Sequence, residues 1–216
     1  MAALALALSL VLGGNAAPPT RSAPPDRVSF FSVPLGCPAV EGLGCGSLAA
    51  PVMTELERNP RIGEVWLDRA GTKLAVVWKD SGNHRGDAAV VKRAFHGKGL
   101  DIATIEGERV DAARRAFESG SRWYRATDVE QLSKEEAKVL ADRLADHVEE
   151  THPLPAERSR AFRAELAPAV YRCLRVGCAA GMKDVLAVAG KHLDARRLAR
   201  FREGLQRGLE ELAGEE

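Results

Sequence analysis

The stretch GCPAVEGLGCGSLAAPVMTELERNPRIGEVWLDRAGTKLAVVW, Gly36 to Trp78, decides the fold of the first half of the chain. It opens on a loop rich in Gly and Pro that carries Cys37 and Cys45. Leu48, Val52, Met53 and Leu56 follow at helical spacing and form one apolar face. Ser47 is placed to cap that helix, and Pro51 is tolerable near its start, where N–H groups lack intrahelical partners. Asn59-Pro60 stops the helix after about Arg58. Ile62 to Leu67 and Lys73 to Lys79 then read as two strands joined by the turn Arg69-Ala70-Gly71-Thr72, a hairpin.

On either side the same alternation of elements continues. Arg27 to Val33 (RVSFFSV) is β-branched and aromatic, a strand. Asp80 to Gly86 is a polar loop, Asp87 to Gly97 a second helix, and Leu100 to Ile105 a last short strand. The order β-α-β-β-α-β over residues 27–107 is the ferredoxin-like arrangement. Residues 108–127 read as a connecting segment, helix-compatible from Val110 to Phe117. The pair Trp123-Tyr124 reads there as exposed and is a candidate partner surface. From 128 to 216 the pattern is helical. Ser133 with Glu136 matches a capping box opening a helix to about Glu150. Three further helices follow, at Ala156 to Val176, about Met182 to Ala189, and Asp194 to Leu212. The fold class predicted is therefore α+β: a ferredoxin-like βαββαβ domain followed by a small all-α helical bundle.

Bulk properties narrow the function. A net charge of +1 supplies no field to draw nucleic acid, and 5% aromatic residues offer few stacking platforms. Nucleic acid is excluded as the expected partner. Residues 1–16 form a short apolar run with small residues at its end, the pattern of a signal peptide, although no Lys or Arg precedes it. Residues 17–26 (with PPTRSAPPD) read as a disordered linker. No other stretch reaches membrane-spanning length. A periplasmic or secreted protein follows from this reading, not membrane-spanning after signal cleavage. Export would place all four cysteines, Cys37, Cys45, Cys173 and Cys178, in an oxidising compartment, where an even count makes them disulfide candidates. Cys173 and Cys178 could bridge only if the helix between them ends at Gly177, because five helical residues rise about 7.5 Å.

The β-α-β-β-α-β order and the loop Gly42-Leu43-Gly44-Cys45-Gly46-Ser47-Leu48 resemble heavy-metal-associated domains, the fold of small copper chaperones and periplasmic mercury-binding proteins. Leu56 to Val65 (LERNPRIGEV) looks like that family's L-x-x-x-x-G-V segment. The resemblance covers residues 27–107, and the helical half has no counterpart in it. The family's loop reads G-M-x-C-x-x-C: Leu43 stands at its Met, Cys45 at its first Cys and Leu48 at its second. The second ligand of the family is thus missing, and Cys37 is the residue that could replace it. The resemblance implies Cu(I) or another soft metal ion, held by Cys37 and Cys45 and exchanged with a metal donor or acceptor protein.

Two readings of Cys37 and Cys45 stay open. Two thiolates in near-linear geometry suit Cu(I) or Hg(II), since soft ligands select soft ions. The start of the helix beyond Ser47 would lower the Cys45 pKa and favour thiolate. Alternatively the thiols, bracketing seven residues, close a disulfide worth about 2–3 kcal/mol. The chain would then be a disulfide-stabilised envelope scaffold or interaction protein that has lost the metal site. No catalytic residue is nominated; a thiol–disulfide activity is a third reading, weakened by the absence of C-x-x-C. The pair His147 and His152 in HVEETH suits a solvated helix end better than a site.

Overall fold

Phe30 and Phe31 are adjacent and both buried, which requires a strand covered on its two faces, since successive side chains point to opposite sides. The computed structural model describes residues 24–213 apart from Asn83, Arg85 and Ser121. The expected signal peptide, 1–16, lies outside the described residues, as does the linker except for its last residues, which enter a short turn at Pro25–Arg27. Strand β1 (Val28–Ser32) leads through a long loop to helix α1 (Gly46–Glu57). The hairpin follows as β2 (Ile62–Asp68) and β3 (Lys73–Trp78), then α2 (Ala88–His96), β4 (Ala103–Thr104), α3 (Glu108–Glu118) and β5 (Trp123–Arg125). Four helices complete the chain: α4 (Glu130–Glu149), α5 (Ala156–Val176), α6 (Cys178–His192) and α7 (Ala195–Ala213).

The strands form one five-stranded antiparallel sheet in the order β4-β1-β3-β2-β5. The protein is thus α+β, with seven helices among the described residues. Phe31, Leu74, Val76 and Trp78 face α1 and α2, meeting Val52, Met53, Leu56, Val91 and Phe95. Phe30 and Ala75 face the other way and meet Ala113 and Phe117 of α3, with Trp123. The hairpin turn forms where expected. Gly71 takes φ +69°, and the Asp68 carboxylate accepts from Thr72 N at 2.7 Å and Lys73 N at 2.8 Å, fixing the turn.

Segment 108–127 does more than connect. It places α3 over the second face of the sheet and adds β5 to its edge through Trp66 opposite Arg125, Leu67 opposite Tyr124 and Asp68 opposite Trp123. Trp123 and Tyr124 are therefore not the exposed pair expected from the sequence. Trp123 is 7% exposed, edge-on to Phe117 at 5.2 Å, and its indole N–H donates to the Ala116 carbonyl at 3.0 Å. Tyr124 is half-buried and donates its hydroxyl to Glu135.

Helix α4 begins three residues before the expected capping box. The N–H groups of Asp128 and Val129 both bond the Arg125 carbonyl at 2.8 Å, so the chain is already turning when it leaves β5. Ser133 and Glu136 consequently lie inside the helix, on the same inner stripe as Val129, Leu132, Ala137, Ala141, Ala145 and Val148. The first turns of α4 join the core of the sheet through Val129 and Leu132. Its later turns join Phe162, Leu166, Ala169, Val185, Ala189 and Phe201 in the helical core. One helix thus belongs to both halves. Helix α6 is longer than expected, because Gly177 at φ +87° ends α5 and lets α6 start at once. Among the described residues, no helix is long and apolar enough to cross a membrane.

Candidate site at the two thiols

The loop between β1 and α1 doubles back on itself beside the hairpin turn. Val33 N and Leu35 N bond the carbonyls of Thr72 and Gly71 at 3.0 and 2.9 Å, and Gly44 N bonds Arg69 at 2.7 Å. Gly36 then pairs with Gly44 in an antiparallel bridge, with Cys37 N bonded to Leu43 O and Cys45 N to Leu35 O, each at 2.7 Å. Alternation along such a ladder puts Leu35, Cys37, Leu43 and Cys45 on one face. Leu35 and Leu43 on that face are fully buried.

Three glycines bring this face against α4. A Cβ on Gly71 would lie 2.3 Å from the Leu35 carbonyl, and one on Gly44 would lie 2.8 Å from the Gly71 Cα. A Cβ on Gly46 would lie 2.5 Å from both Ser133 Oγ and the Val129 carbonyl. Only residues without a side chain allow loop, turn and α4 to meet so closely.

The consequence is a polar cluster inside an apolar joint. Cys37 is 8% exposed and Glu136, reaching in from α4, is 3% exposed. Cys45 is half-buried, occupies the N-cap position of α1 in place of the expected Ser47, and holds its Sγ 3.2 Å from Ser47 Oγ. Both thiols interact with the Glu136 carboxyl, yet Glu136 Oε2 is buried with no hydrogen-bond partner. Burial pushes the Cys37 thiol up to about 12, and the neighbouring Glu136 adds to the rise. Burial also raises Cys45, outweighing the Ser47 contact. The lowering expected from the start of α1 is therefore overridden by desolvation. Burial raises the Glu136 carboxyl too, against the lowering effect of the two thiols. The cluster favours its protonated forms, and any cation binding here must displace thiol protons.

Cys37 and Cys45 are free thiols. Cys37 and Cys45 stand diagonally across the Gly36–Gly44 bridge, a relation for which roughly 7–8 Å between residues is usual. Disulfides usually span about 4.4–6.8 Å between Cα atoms, so bridging these two asks the loop to tighten. Among the described residues, no trio of His, Cys, Asp or Glu side chains stands in ligating geometry, and an ion here would depend first on the two sulfurs. Leu48, at the position of the missing second ligand, is 56% exposed. Ser47 lines a cleft of about 300 Å³ between the start of α1 and α4, with Thr127, Glu130 and Arg175 on its other walls. Cys173 is buried between α5 and α6; the Cys178 side chain lies outside the described residues, and with it the second candidate disulfide.

Glu136 is the site residue that sequence reasoning missed. Its S-x-x-E spacing with Ser133 imitates a capping box, but both residues interrupt an otherwise apolar stripe, and that interruption was the available signal. Compared with known proteins, the chain matches no family model, no curated protein and no solved structure.

Proposed function

We propose that this protein binds and hands over a soft metal ion, of the Cu(I) or Hg(II) type, through Cys37 and Cys45. The single observation carrying the reading is that a glycine-built loop sets two thiols on one buried face. Two-coordinate soft ions need only two sulfurs, so the lack of a three-ligand cage does not count against it. The strand order β4-β1-β3-β2 with α1 and α2 on one face supports a ferredoxin-like arrangement for this part. β5 and the covering α3 are additions to that arrangement. Loading would release the thiol protons, and transfer would proceed by ligand exchange, a donor's thiolate leaving as Cys45, the more exposed residue of the two, takes its place. An exported location, expected from residues 1–16, would suit exchange with a partner outside the cytoplasm.

A second reading is favoured by the raised thiols. A protonated, buried dithiol–carboxyl cluster at the joint of sheet and bundle suits a scaffold that has lost the metal site. One experiment separates the two: free-thiol counting, then competitive Cu(I) titration of the reduced protein, with Cys37→Ser and Cys45→Ser alongside. Tight one-to-one binding lost in either variant supports the metal reading. Absence of binding by the reduced wild type supports the scaffold.

A further inference from the structure

We infer that His147 is an acid-sensitive latch between α4 and α7: neutral, it lets the two helices lie together, and on taking up a proton it drives α7 away. On α4, Leu140, Leu144 and His147 follow one another at helical spacing, and the two leucines pack on the helical core. The imidazole meets α7 at Gly204, where a Cβ would lie 2.7 Å from its Cδ2 and 3.4 Å from its Nε2. Glycine inside a helix weakens it, and this contact is what requires one here. The His147 Nε2 is buried with no hydrogen-bond partner, and so is Arg200 Nε on α7. Buried polar atoms are ordinarily satisfied, so two orphans at one helix contact call for a reason. His147 is thus held against a neighbouring helix, not at the solvated helix end that the sequence suggests.

Arg200 and Arg207 stand four residues before and three after Gly204, the neighbouring positions on a helix surface. They share one carboxylate, Glu203, to which each donates at 2.8 Å. Glu150, on α4, is the second acidic group acting on the ring. A neutral ring can keep its proton on Nδ1 and leave Nε2 bare, whereas an imidazolium carries N–H on both nitrogens. Acid would therefore bury an unsatisfied donor, and a positive charge beside two others. Burial, then Arg200 and Arg207, hold the imidazole below its ordinary value of 6.5, against the opposite pull of Glu203 and Glu150. The carbonyl end of α4 favours a cation here as well, and with the two carboxylates it sets how far the pH must fall. A base held low in the folded state stabilises at neutral pH, and that stability is lost as pH falls from about 6.5 toward the folded value. Helix α4 is held in both cores and α7 only in the helical one, so α7 is the partner that moves. Its departure uncovers Phe201, fully buried in the docked form, with Leu198 and Leu205.

The test follows the full chain from about pH 7.5 to about pH 5 for wild type, His147→Gln and His192→Gln. Amide hydrogen exchange, corrected for its intrinsic pH dependence, compares peptides of α7 with peptides of α5, and the dye ANS reports exposed apolar surface. One proton changes an equilibrium by at most about tenfold per pH unit. Protection of α7 in the wild type should therefore fall by up to about that factor per unit below pH 6.5, with ANS fluorescence rising and α5 unchanged. His147→Gln should hold α7 protection across the range, and His192→Gln should behave as wild type. Protection of α7 that stays flat in the wild type, falls alike in α5, falls equally in His147→Gln, or is made pH-independent by His192→Gln overturns the inference. Should His147→Gln not fold, NMR titration of the His147 ring in the wild type decides: a midpoint below 6.5 that coincides with α7 opening supports the latch, and a midpoint at or above 6.5 overturns it.

Discussion

Gly46→Ala probes the contact that brings α4 to the thiols. The new methyl would lie 2.5 Å from Ser133 Oγ, 2.5 Å from the Val129 carbonyl oxygen and 2.9 Å from Ser133 N, where ordinary contact begins at 3.4 Å. A serine hydroxyl can rotate away, but a carbonyl and an amide of a helix cannot. The shortfall must be met by α1 and α4 moving apart. Overpacking of this kind costs about 1–3 kcal/mol, and the two backbone obstacles place it in the upper part, about 2–3 kcal/mol. For a protein of this size each kcal/mol shifts Tm by about 2–4 °C, so a fall of roughly 4–12 °C is expected in a thermal melt. Gly190→Ala is the control of opposite sign. Gly190 lies in α6 with nothing within 4 Å of the new methyl, and helix propensity predicts a gain of about 0.5–1 kcal/mol. Separation of α1 from α4 should also speed the reaction of Cys45 with a thiol reagent. A Gly46→Ala protein that melts at or above the wild type, with unchanged Cys45 reactivity, would refute the packing described.

Three further outcomes are expected. Folded Glu136 keeps its proton to higher pH than its ordinary value of 4.5, so its ionisation opposes folding. Wild type should therefore lose stability as pH rises from about 4.5 through the folded value, and Glu136→Gln should gain on it over that window and then level off; a difference flat with pH sinks the idea. With native protein at mildly alkaline pH, Cys45 should be alkylated before Cys37, whose thiol is buried and pushed to about 12; peptide mapping showing equal labelling would contradict the burial. Trp123→Ala should cost about 3–5 kcal/mol, as for a large core aromatic, whereas a loss within about 0.5 kcal/mol, typical of surface sites, would restore Trp123 to the surface.

What could be read in the sequence was whatever chain neighbours decide. The hairpin declared itself through Gly71 and the flanking apolar strands, and α2 through Ala89, Val90, Ala94 and Phe95, although of these only Phe95 is fully buried and Val91 and Ala88 take the other core positions. Strand β5 did not, because three residues carry no alternation, and Trp123 is buried only once Phe117 folds over the sheet. Cys37 and Cys45 were legible as a pair from the loop that joins them. Their carboxyl neighbour was not, since Glu136 arrives about ninety residues later in the chain, and its spacing to Ser133 satisfies two patterns at once. The choice between cap and inner stripe is made by Val129 and Leu132, which pack on the sheet only in the folded state. The pKa of Cys45 was misjudged for the same reason. The start of a helix is visible in sequence, whereas the desolvation that outweighs it is tertiary.

X-ray absorption at the copper edge of the reduced, Cu(I)-loaded protein tests the central claim most directly. The account predicts one copper per chain with two sulfur neighbours, falling to one sulfur or to no bound copper in Cys45→Ser. Copper that fails to bind, or that keeps two sulfur neighbours when Cys45 is replaced, would contradict it.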